Sequence, residues 1–212
     1  MLTFFMALEL IGTVAFAISG AMVAMRKRMD IFGVLFLGCV TAVGGGVLRD
    51  LMIGVTPPAC FQNSSYLITA NLTALVVFLP LVRRPIAHHQ MLFDEILFVA
   101  DSIGLGVFAV SGVEAALAVD SEFSFLLLIF IGMLTGTGGG VIRDVLAGGT
   151  PYIFVKHIYA LAAAGGALAY LLLLRVGLSR EVSYLLAAGG VFVLRCLASW
   201  FRWNLPKANI EE

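Results

Sequence analysis

Two short segments combine residue types that seldom occur together inside an apolar stretch: three glycines, two aliphatic residues, an arginine and an aspartate. They read GGGVLRD from Gly44 to Asp50 and GGGVIRD from Gly138 to Asp144. Such a run weakens a helix, frees backbone carbonyls, and lets another helix or an ion approach the backbone closely. The chemistry it offers is coordination by carbonyl groups beside a fixed pair of opposite charges.

The glycines carry a measurable cost, since each destabilises a helix interior by about 1 kcal/mol relative to alanine. One triplet alone is more typical of close helix packing by small residues. Two triplets, each followed by Arg-Asp, favour a pair of hinges. The predicted hinge residues are Gly44, Gly45, Gly46, Gly138, Gly139 and Gly140.

The charged residues Arg49, Asp50, Arg143 and Asp144 follow the glycines inside apolar segments. A charge at this depth costs about 3 kcal/mol on insertion scales and normally faces the bundle interior or a wet cavity. Neighbouring residues point about 100° apart on a helix, so each of them is expected to need its own partner. For the arginines, a position on a route and a structural bond to carbonyls or to Asp101 both remain open.

Further polar residues lie in the apolar segments and complete the set of candidates. Glu9 and Asp101 could contact a route or simply be hydrated, and Glu114 is a third acid of this kind. Buried hydroxyl groups more often bond their own helix backbone than line a path, although two matched serines stand out. The hydroxyl candidates are Ser19, Ser111, Thr41 and Thr135.

These residues are carried by apolar segments of membrane-spanning length. The chain has 212 residues, of which 61% are hydrophobic and 12% charged. A helix needs roughly 20 apolar residues to cross the hydrocarbon core, and alternating strands of a barrel are missing from the sequence. The sequence therefore predicts an all-α membrane protein with seven transmembrane helices, near residues 4–25, 32–54, 65–82, 95–117, 123–147, 155–174 and 182–203.

Basic residues are distributed unevenly over the predicted loops, which sets the orientation because cytoplasmic loops are enriched in Lys and Arg. One side would hold Arg26, Lys27, Arg28, Arg83, Arg84, Lys156, Arg202 and Lys207, and the other only Arg175 and Arg180. This predicts an outside N-terminus and a cytoplasmic C-terminus. The first segment lacks a positive region before it, so it is interpreted as part of the fold and not as a cleaved signal.

The two segments belong to a longer internal repeat. An offset of 94 residues aligns Thr41 with Thr135 and Pro57 with Pro151, and an offset of 92 aligns FAISG, starting at Phe16, with FAVSG. Each repeat holds three spans, and because three is odd, the second copy must cross the membrane in the opposite direction. The predicted organisation is repeat 1 over 1–90, inverted repeat 2 over 91–176, and a seventh helix with a short tail over 177–212.

Several functional classes find no support in the sequence. The three cysteines and three histidines are scattered, so no metal site and no cofactor are expected. Intramembrane enzyme motifs such as HExxH and GxSxG are missing, as is a nucleotide-binding loop. The basic cluster after the first span is explained by topology, so nucleic-acid binding is not expected.

The duplicated GGGVLRD and GGGVIRD, the TPP and TP that follow them, and the seventh helix resemble the prokaryotic branch of the trimeric intracellular cation (TRIC) channel family. This branch overlaps proteins described as putative glycine transporters, and the resemblance covers roughly residues 3–203. It implies a homotrimer in the inner (plasma) membrane with an hourglass-shaped pore in each protomer, beside helices two and five. It also implies permeation of K⁺ and some Na⁺. The lipid-binding signature of animal members has no clear counterpart here.

Two functions are consistent with inverted repeats: a monovalent cation channel, and a secondary transporter of glycine or another small amino acid. A transporter of a zwitterion needs a helix N-terminus for the substrate carboxylate, and a carboxylate or carbonyl groups for the amine. Asp50, Asp101, Asp144 and Glu114 could supply the carboxylate. A channel needs only a continuous hydrated path with weak sites. The sparse polar residues slightly favour the channel.

Overall fold

A computed structural model describes residues 2–155 and 158–203. Lys156 and Lys207, which were counted on the predicted cytoplasmic side, and the scattered His157 lie outside the described residues, as do the side chains of Arg84 and His88. The described chain folds into helices only. They are α1 Leu2–Arg26, α2 Ile31–Met52, α3 Ala59–Gln62, α4 Ser65–Phe78, α5 Pro80–His88, α6 Gln90–Val119, α7 Phe125–Leu146, α8 Tyr152–Val155, α9 Tyr159–Arg175 and α10 Arg180–Trp200.

Five of the described helices are long and apolar enough to cross a membrane: α1, α2, α6, α7 and α10. Two shorter apolar helices, α4 and α9, occupy the third and sixth predicted spans. The third span was expected to run to residue 82, but α4 ends at Phe78 and Pro80 begins a separate helix. Proline lacks the N–H that would continue the helix, which explains the early end.

Local signals set the ends of α2 and α7. Asp30 and Ser124 cap the first turns by accepting hydrogen bonds from the N–H groups of Gly33 and Leu127. At the other ends, Gly54 and Gly148 adopt φ values of +77° and +65°, a conformation that glycine tolerates best. The sequence also suggests Pro57, Pro58 and Pro151 as the ends of these helices, but both helices end at glycine before the prolines are reached.

The helices of the two halves pack antiparallel. A Cβ atom added to Gly45 would lie 2.1 Å from the carbonyl oxygen of Thr135, and one added to Gly139 would lie 2.1 Å from that of Thr41. Gly45 follows Thr41 on α2, whereas its neighbour Thr135 precedes Gly139 on α7, so the two helices run in opposite directions. The backbones touch at this crossing because neither helix carries a side chain there.

The glycine triplets do not interrupt their helices. Both α2 and α7 are continuous through Gly44–Gly46 and Gly138–Gly140. The expected break that would free backbone carbonyls is corrected: the middle glycine of each triplet serves backbone contact between helices, the alternative typical of a single triplet. Bending at the triplets remains a prediction.

Helix α10 packs on the outside of the second half, against α6 and α9. The Tyr184 hydroxyl donates a hydrogen bond of 2.9 Å to the carbonyl of Val107, and Gly166 leaves room for Val191. Tyr184 also belongs to a buried apolar cluster with Val110, Ile131 and Tyr170. The last helix is thus fixed to α6, the helix that carries Asp101.

Candidate functional site

The first charge cluster joins Glu9 of α1, Arg49 and Asp50 of α2, Tyr66 of α4 and Ser111 of α6. Arg49 Nε donates to Asp50 Oδ1 at 2.8 Å, and Arg49 Nη1 lies 3.8 Å from Glu9 Oε1. Glu9 also accepts hydrogen bonds from the hydroxyl groups of Tyr66 and Ser111. Four helices therefore meet at one ionic group.

The second charge cluster repeats this arrangement with Asp101 of α6, Arg143 and Asp144 of α7, and Ser19 of α1. Arg143 Nε donates to Asp144 Oδ1 at 2.8 Å, and Arg143 Nη1 donates to Asp101 Oδ1 at 2.7 Å. Arg143 Nη1 also donates to the Ser19 hydroxyl. Both Arg143 and Asp101 are completely buried.

The neighbouring Arg and Asp residues pair with each other, which corrects the expectation that each needs a separate partner. The long arginine side chain reaches around the helix to the carboxylate of the next residue. The other oxygen of each aspartate caps the segment that follows the helix: Asp50 Oδ2 accepts from the N–H of Ala59 at 2.7 Å, and Asp144 Oδ2 from that of Tyr152 at 2.9 Å. Asp50 and Asp144 thus connect the ends of α2 and α7 to the segments that follow them.

The two clusters differ in access to solvent. The Glu9 side chain keeps 21% of its surface exposed, whereas the side chain of Asp101, its counterpart in the repeat, has none. The expectation that both acids could simply be hydrated was therefore wrong for Asp101. Four side-chain atoms of the described residues are buried without a hydrogen-bond partner, and three of them, Asp101 Oδ2, Arg143 Nη2 and the Tyr159 hydroxyl, lie in or beside the second cluster. The second cluster is therefore the more tightly enclosed.

The candidate hydroxyl residues separate into two kinds. Thr41 and Thr135 donate to carbonyl groups of their own helices, those of Leu37 and Ile131, at 2.6 and 2.7 Å. Ser19 and Ser111 instead contact the acid of the opposite half, with Ser19 Oγ donating to Asp101 Oδ1 at 3.5 Å. Because Glu9 meets Ser111 while Asp101 meets Ser19, α1 and α6 also run antiparallel.

Open space lies beside each cluster. A cavity of about 40 Å³ borders the first, lined among others by Glu9, Arg49, Asp50, Tyr66 and Phe108. A vestibule of about 740 Å³ reaches the second, and its lining residues include Arg26, Asp94, Glu95, Asp101, Tyr152 and Arg195. Each charge cluster is therefore approached from its own hollow.

An aromatic pair lies between the clusters. The ring centroids of Phe16 and Phe108 are 5.3 Å apart. Phe16 stands between Glu9 and Ser19 on α1, and these two residues are ten positions or about 15 Å apart along the helix. Phe108 holds the matching place on α6, between Asp101 and Ser111. The pair therefore separates the two ionic groups with apolar side chains.

Several residues of the clusters were missed in the sequence. Tyr66 and Tyr159 correspond at an offset of 93 residues, and Gly54 and Gly148 at 94, so a longer repeat alignment could have found both pairs. Arg195 offers no such signal, because α10 lies outside the repeat. Its guanidinium Nη2 lies 3.8 Å from Asp101 Oδ2.

Other candidate ligands are engaged elsewhere or dispersed. Glu114 accepts from the Tyr170 hydroxyl and, at 2.7 Å, from Arg180 Nη1, so it belongs to the end of α6 and to neither cluster. In the described part of the chain, no group of three or more His, Cys, Asp or Glu residues could hold a metal ion. Burial raises the pKa of the Cys60 thiol, which keeps this loop cysteine protonated.

The fold and its two enclosed charge clusters define the class as a multi-pass helical membrane protein with a polar interior. The chain belongs to the family described as Glycine transporter, whose model matches residues 6–81 and 98–175. It is 38% identical to the UPF0126 membrane protein YvgT of Bacillus subtilis, covering 96% of both chains. A UPF0126 membrane protein of Deinococcus radiodurans is 45% identical over 76% of this chain and 72% of its own length.

Solved structures extend this relationship. The TRIC trimeric intracellular cation channel orthologue from Rhodobacter sphaeroides is 35% identical, with a TM-score of 0.83 over 93% of this chain and 98% of its own. A prokaryotic TRIC channel crystallised in 0.5 M KCl is 32% identical, with a TM-score of 0.86 over 97% of this chain and 100% of its own. The resemblance to the prokaryotic branch of the TRIC family is confirmed. These relatives are ion channels and not enzymes, in agreement with the sequence prediction.

Proposed function

We propose that the protein is a cation channel, permeable to K⁺ and to some Na⁺, with a pore inside each protomer of a homotrimer. The observation that carries the proposal is the placement of the cavity and the vestibule beside separate charge clusters of one antiparallel helical core. The descriptions of the related solved structures as TRIC cation channels support it.

The proposed architecture has seven spans: the five long apolar helices plus the shorter α4 and α9. The antiparallel pairs α1/α6 and α2/α7 support inverted repeats over 1–90 and 91–176, followed by the seventh helix and tail over 177–212. The distribution of Lys and Arg supports an outside N-terminus in the inner membrane. In this orientation the first cluster lies toward the outer side and the vestibule opens toward the cytoplasm.

The proposed route runs along α2 and α7 from one cluster to the other. The triplets Gly44–Gly46 and Gly138–Gly140 let these helices touch and are the positions where they bend. Arg49 and Arg143 act as braces, and their pairing with carboxylates limits the barrier that a lone positive charge would present to a cation. Membrane lipid surrounds the bundle.

The barrier between the hollows is proposed to be the Phe16 and Phe108 pair, since a narrow apolar constriction excludes water and ions. Replacing Phe108 with alanine should enlarge the first cavity toward the second cluster and raise the open probability several-fold in bilayer recordings. Phe108→Leu is the matched control, because leucine keeps an apolar plug, and its open probability should stay near wild type. An unchanged or lower open probability in Phe108→Ala would place the barrier elsewhere.

The state of the carboxylates favours the channel over a glycine transporter. Both oxygens of Asp50 and Asp144 accept hydrogen bonds from protein groups, and Glu114 is bound by Tyr170 and Arg180. A substrate ammonium group would have to displace one of these donors. At Asp101, whose Oδ2 accepts no hydrogen bond from the described residues, it would lie beside the Arg195 guanidinium, 3.8 Å from that oxygen. The family description as Glycine transporter keeps amino-acid transport as the alternative that the following experiment must separate.

The decisive experiment records purified protein in a planar bilayer with KCl at unequal concentrations on the two sides. A cation channel should produce discrete current steps that reverse near the equilibrium potential of K⁺. Vesicle uptake of radiolabelled glycine is measured in parallel on the same preparation. Saturable glycine uptake without current steps would reject the channel in favour of the transporter.

A further inference from the structure

The two charge clusters differ in formal charge, although they arise from matching residues of the repeat. In the first cluster a single arginine, Arg49, faces the two carboxylates of Glu9 and Asp50. In the second cluster Arg143 faces Asp101 and Asp144, and Arg195 of α10 is added. With all acids ionised, the first cluster carries one excess negative charge, whereas the second is neutral.

Arg195 is held firmly in its buried position. Its guanidinium carbon lies 4.8 Å from the ring centroid of Tyr159 and 5.1 Å from that of Phe98. Its Nε donates to the Ser102 hydroxyl at 3.4 Å, and the side chain is only 2% exposed. Stacking on aromatic faces and attraction to Asp101 together fix this charge.

Arg195 lies at the vestibule, where its positive charge acts on entering cations. Arg195 and Asp101 both line this hollow, whereas Arg26 is paired with Asp94 in an exposed ion pair. A cation that enters the vestibule therefore comes under the field of Arg195 as well as that of Asp101. Such a fixed charge in a partly dehydrated site acts more strongly than it would in bulk water.

We propose that Arg195 limits the entry of cations from the vestibule into the route, and that its charge, not its size, sets this limit. The proposal rests on the channel function. It makes the seventh helix the element that renders the two ends of the route electrically unequal. The repeats contribute the same set of charges to both clusters, because Glu9, Arg49 and Asp50 match Asp101, Arg143 and Asp144.

The test measures single-channel K⁺ conductance in symmetric KCl. Arg195→Gln should raise the conductance roughly threefold at 0.1 M KCl, where the Debye length is about 10 Å. The increase should be smaller at 1 M KCl, where the Debye length is about 3 Å. Arg195→Lys, which keeps the charge, should match wild type. The control is Arg175→Gln, since Arg175 stacks on Phe125 and is not among the described residues that line the vestibule.

A second pair of variants changes the charge at a less buried position, where misfolding is a smaller risk than at Arg195. Ser199 lies one turn beyond Arg195 on α10 and lines the same vestibule, half-buried. Ser199→Glu should increase the conductance at 0.1 M KCl and Ser199→Lys should decrease it. Equal conductance in these two variants, or equal changes in Arg195→Gln and Arg195→Lys, would overturn the proposal.

The failure of this inference is distinguishable from failure of the channel function. Wild-type protein that passes no current rejects the channel, and the role of Arg195 falls with it. Wild-type protein that conducts, with Arg195→Gln, Ser199→Glu and Ser199→Lys all unchanged, rejects the role of Arg195 alone.

Discussion

Alanine at Gly45 or at Gly139 is expected to lower the free energy of unfolding by about 3 kcal/mol, the upper end of the usual range for overpacking. In each case the new Cβ atom would lie 2.1 Å from a backbone carbonyl oxygen of the opposite helix. Backbone atoms cannot rotate away as a side chain does, so α2 and α7 must separate. For a chain of this size, the midpoint of thermal unfolding should fall by roughly 6 to 12 °C.

The matched control lies in the same triplet. A Cβ on Gly46 would have the Arg49 Nη2 atom as its nearest neighbour, at 3.7 Å, an ordinary contact distance. Gly46→Ala should therefore melt within about 2 °C of wild type, helped by the better helix propensity of alanine. Thermal melting of detergent-solubilised protein measures both variants. Similar melting of Gly45→Ala and Gly46→Ala would show that the helices do not touch as described.

The same substitutions separate packing from hinge function. If the middle glycines serve only helix contact, a Gly46→Ala variant should conduct like wild type. If the triplet must also bend during opening, Gly46→Ala should reduce the open probability while leaving the melting temperature unchanged, because alanine stiffens the helix without a clash. Bilayer recording of this one stable variant therefore tests the hinge prediction.

The second large effect is expected at Arg143. Arg143→Gln leaves Asp101 and Asp144 inside the protein without their main counter-ion, and breaking a buried pair in this way costs about 3 to 5 kcal/mol. Arg49→Gln should cost less, about 1 to 2 kcal/mol, because Glu9 is partly exposed and the neighbouring cavity admits solvent to this cluster. The two halves should thus respond unequally to the same substitution.

A double-mutant cycle assigns the effect to the ion pair. Asp101→Asn and Arg143→Gln are measured singly and together by chemical or thermal unfolding in detergent. The double variant should be about 2 kcal/mol more stable than the sum of the two losses predicts, since each single change strands a charge that the other removes. Additive losses, or equal losses in Arg49→Gln and Arg143→Gln, would contradict the pairing described here.

Much of the architecture could be predicted from the sequence. Apolar runs located the long helices within a few residues, because a bilayer requires about 20 apolar residues per span. The internal repeat paired Glu9 with Asp101 and Ser19 with Ser111. Those matched residues proved to be the ones that join the two halves. The shorter third span was not foreseen, although Pro80 marks its end.

The structural roles of GGGVLRD and GGGVIRD were decided by tertiary structure. From the sequence, three glycines predicted a hinge that frees backbone carbonyls, and the neighbouring Arg and Asp residues were expected to need separate partners. The folded chain instead uses Gly45 and Gly139 for backbone contact and pairs each arginine with the next aspartate. Propensity describes an isolated helix, and contacts with a second helix can outweigh it.

The sequence by itself therefore determined a helical membrane protein, its repeat, and the residues that carry charge into the bilayer. Those features follow from local periodicity and from the cost of polar groups in lipid, which act on every segment separately. Only the tertiary structure decided which charges meet, that the Asp101 side chain is buried while that of Glu9 is partly exposed, and that Arg195 joins one cluster alone. Such pairings depend on residues far apart in the chain, and no local pattern encodes their distance.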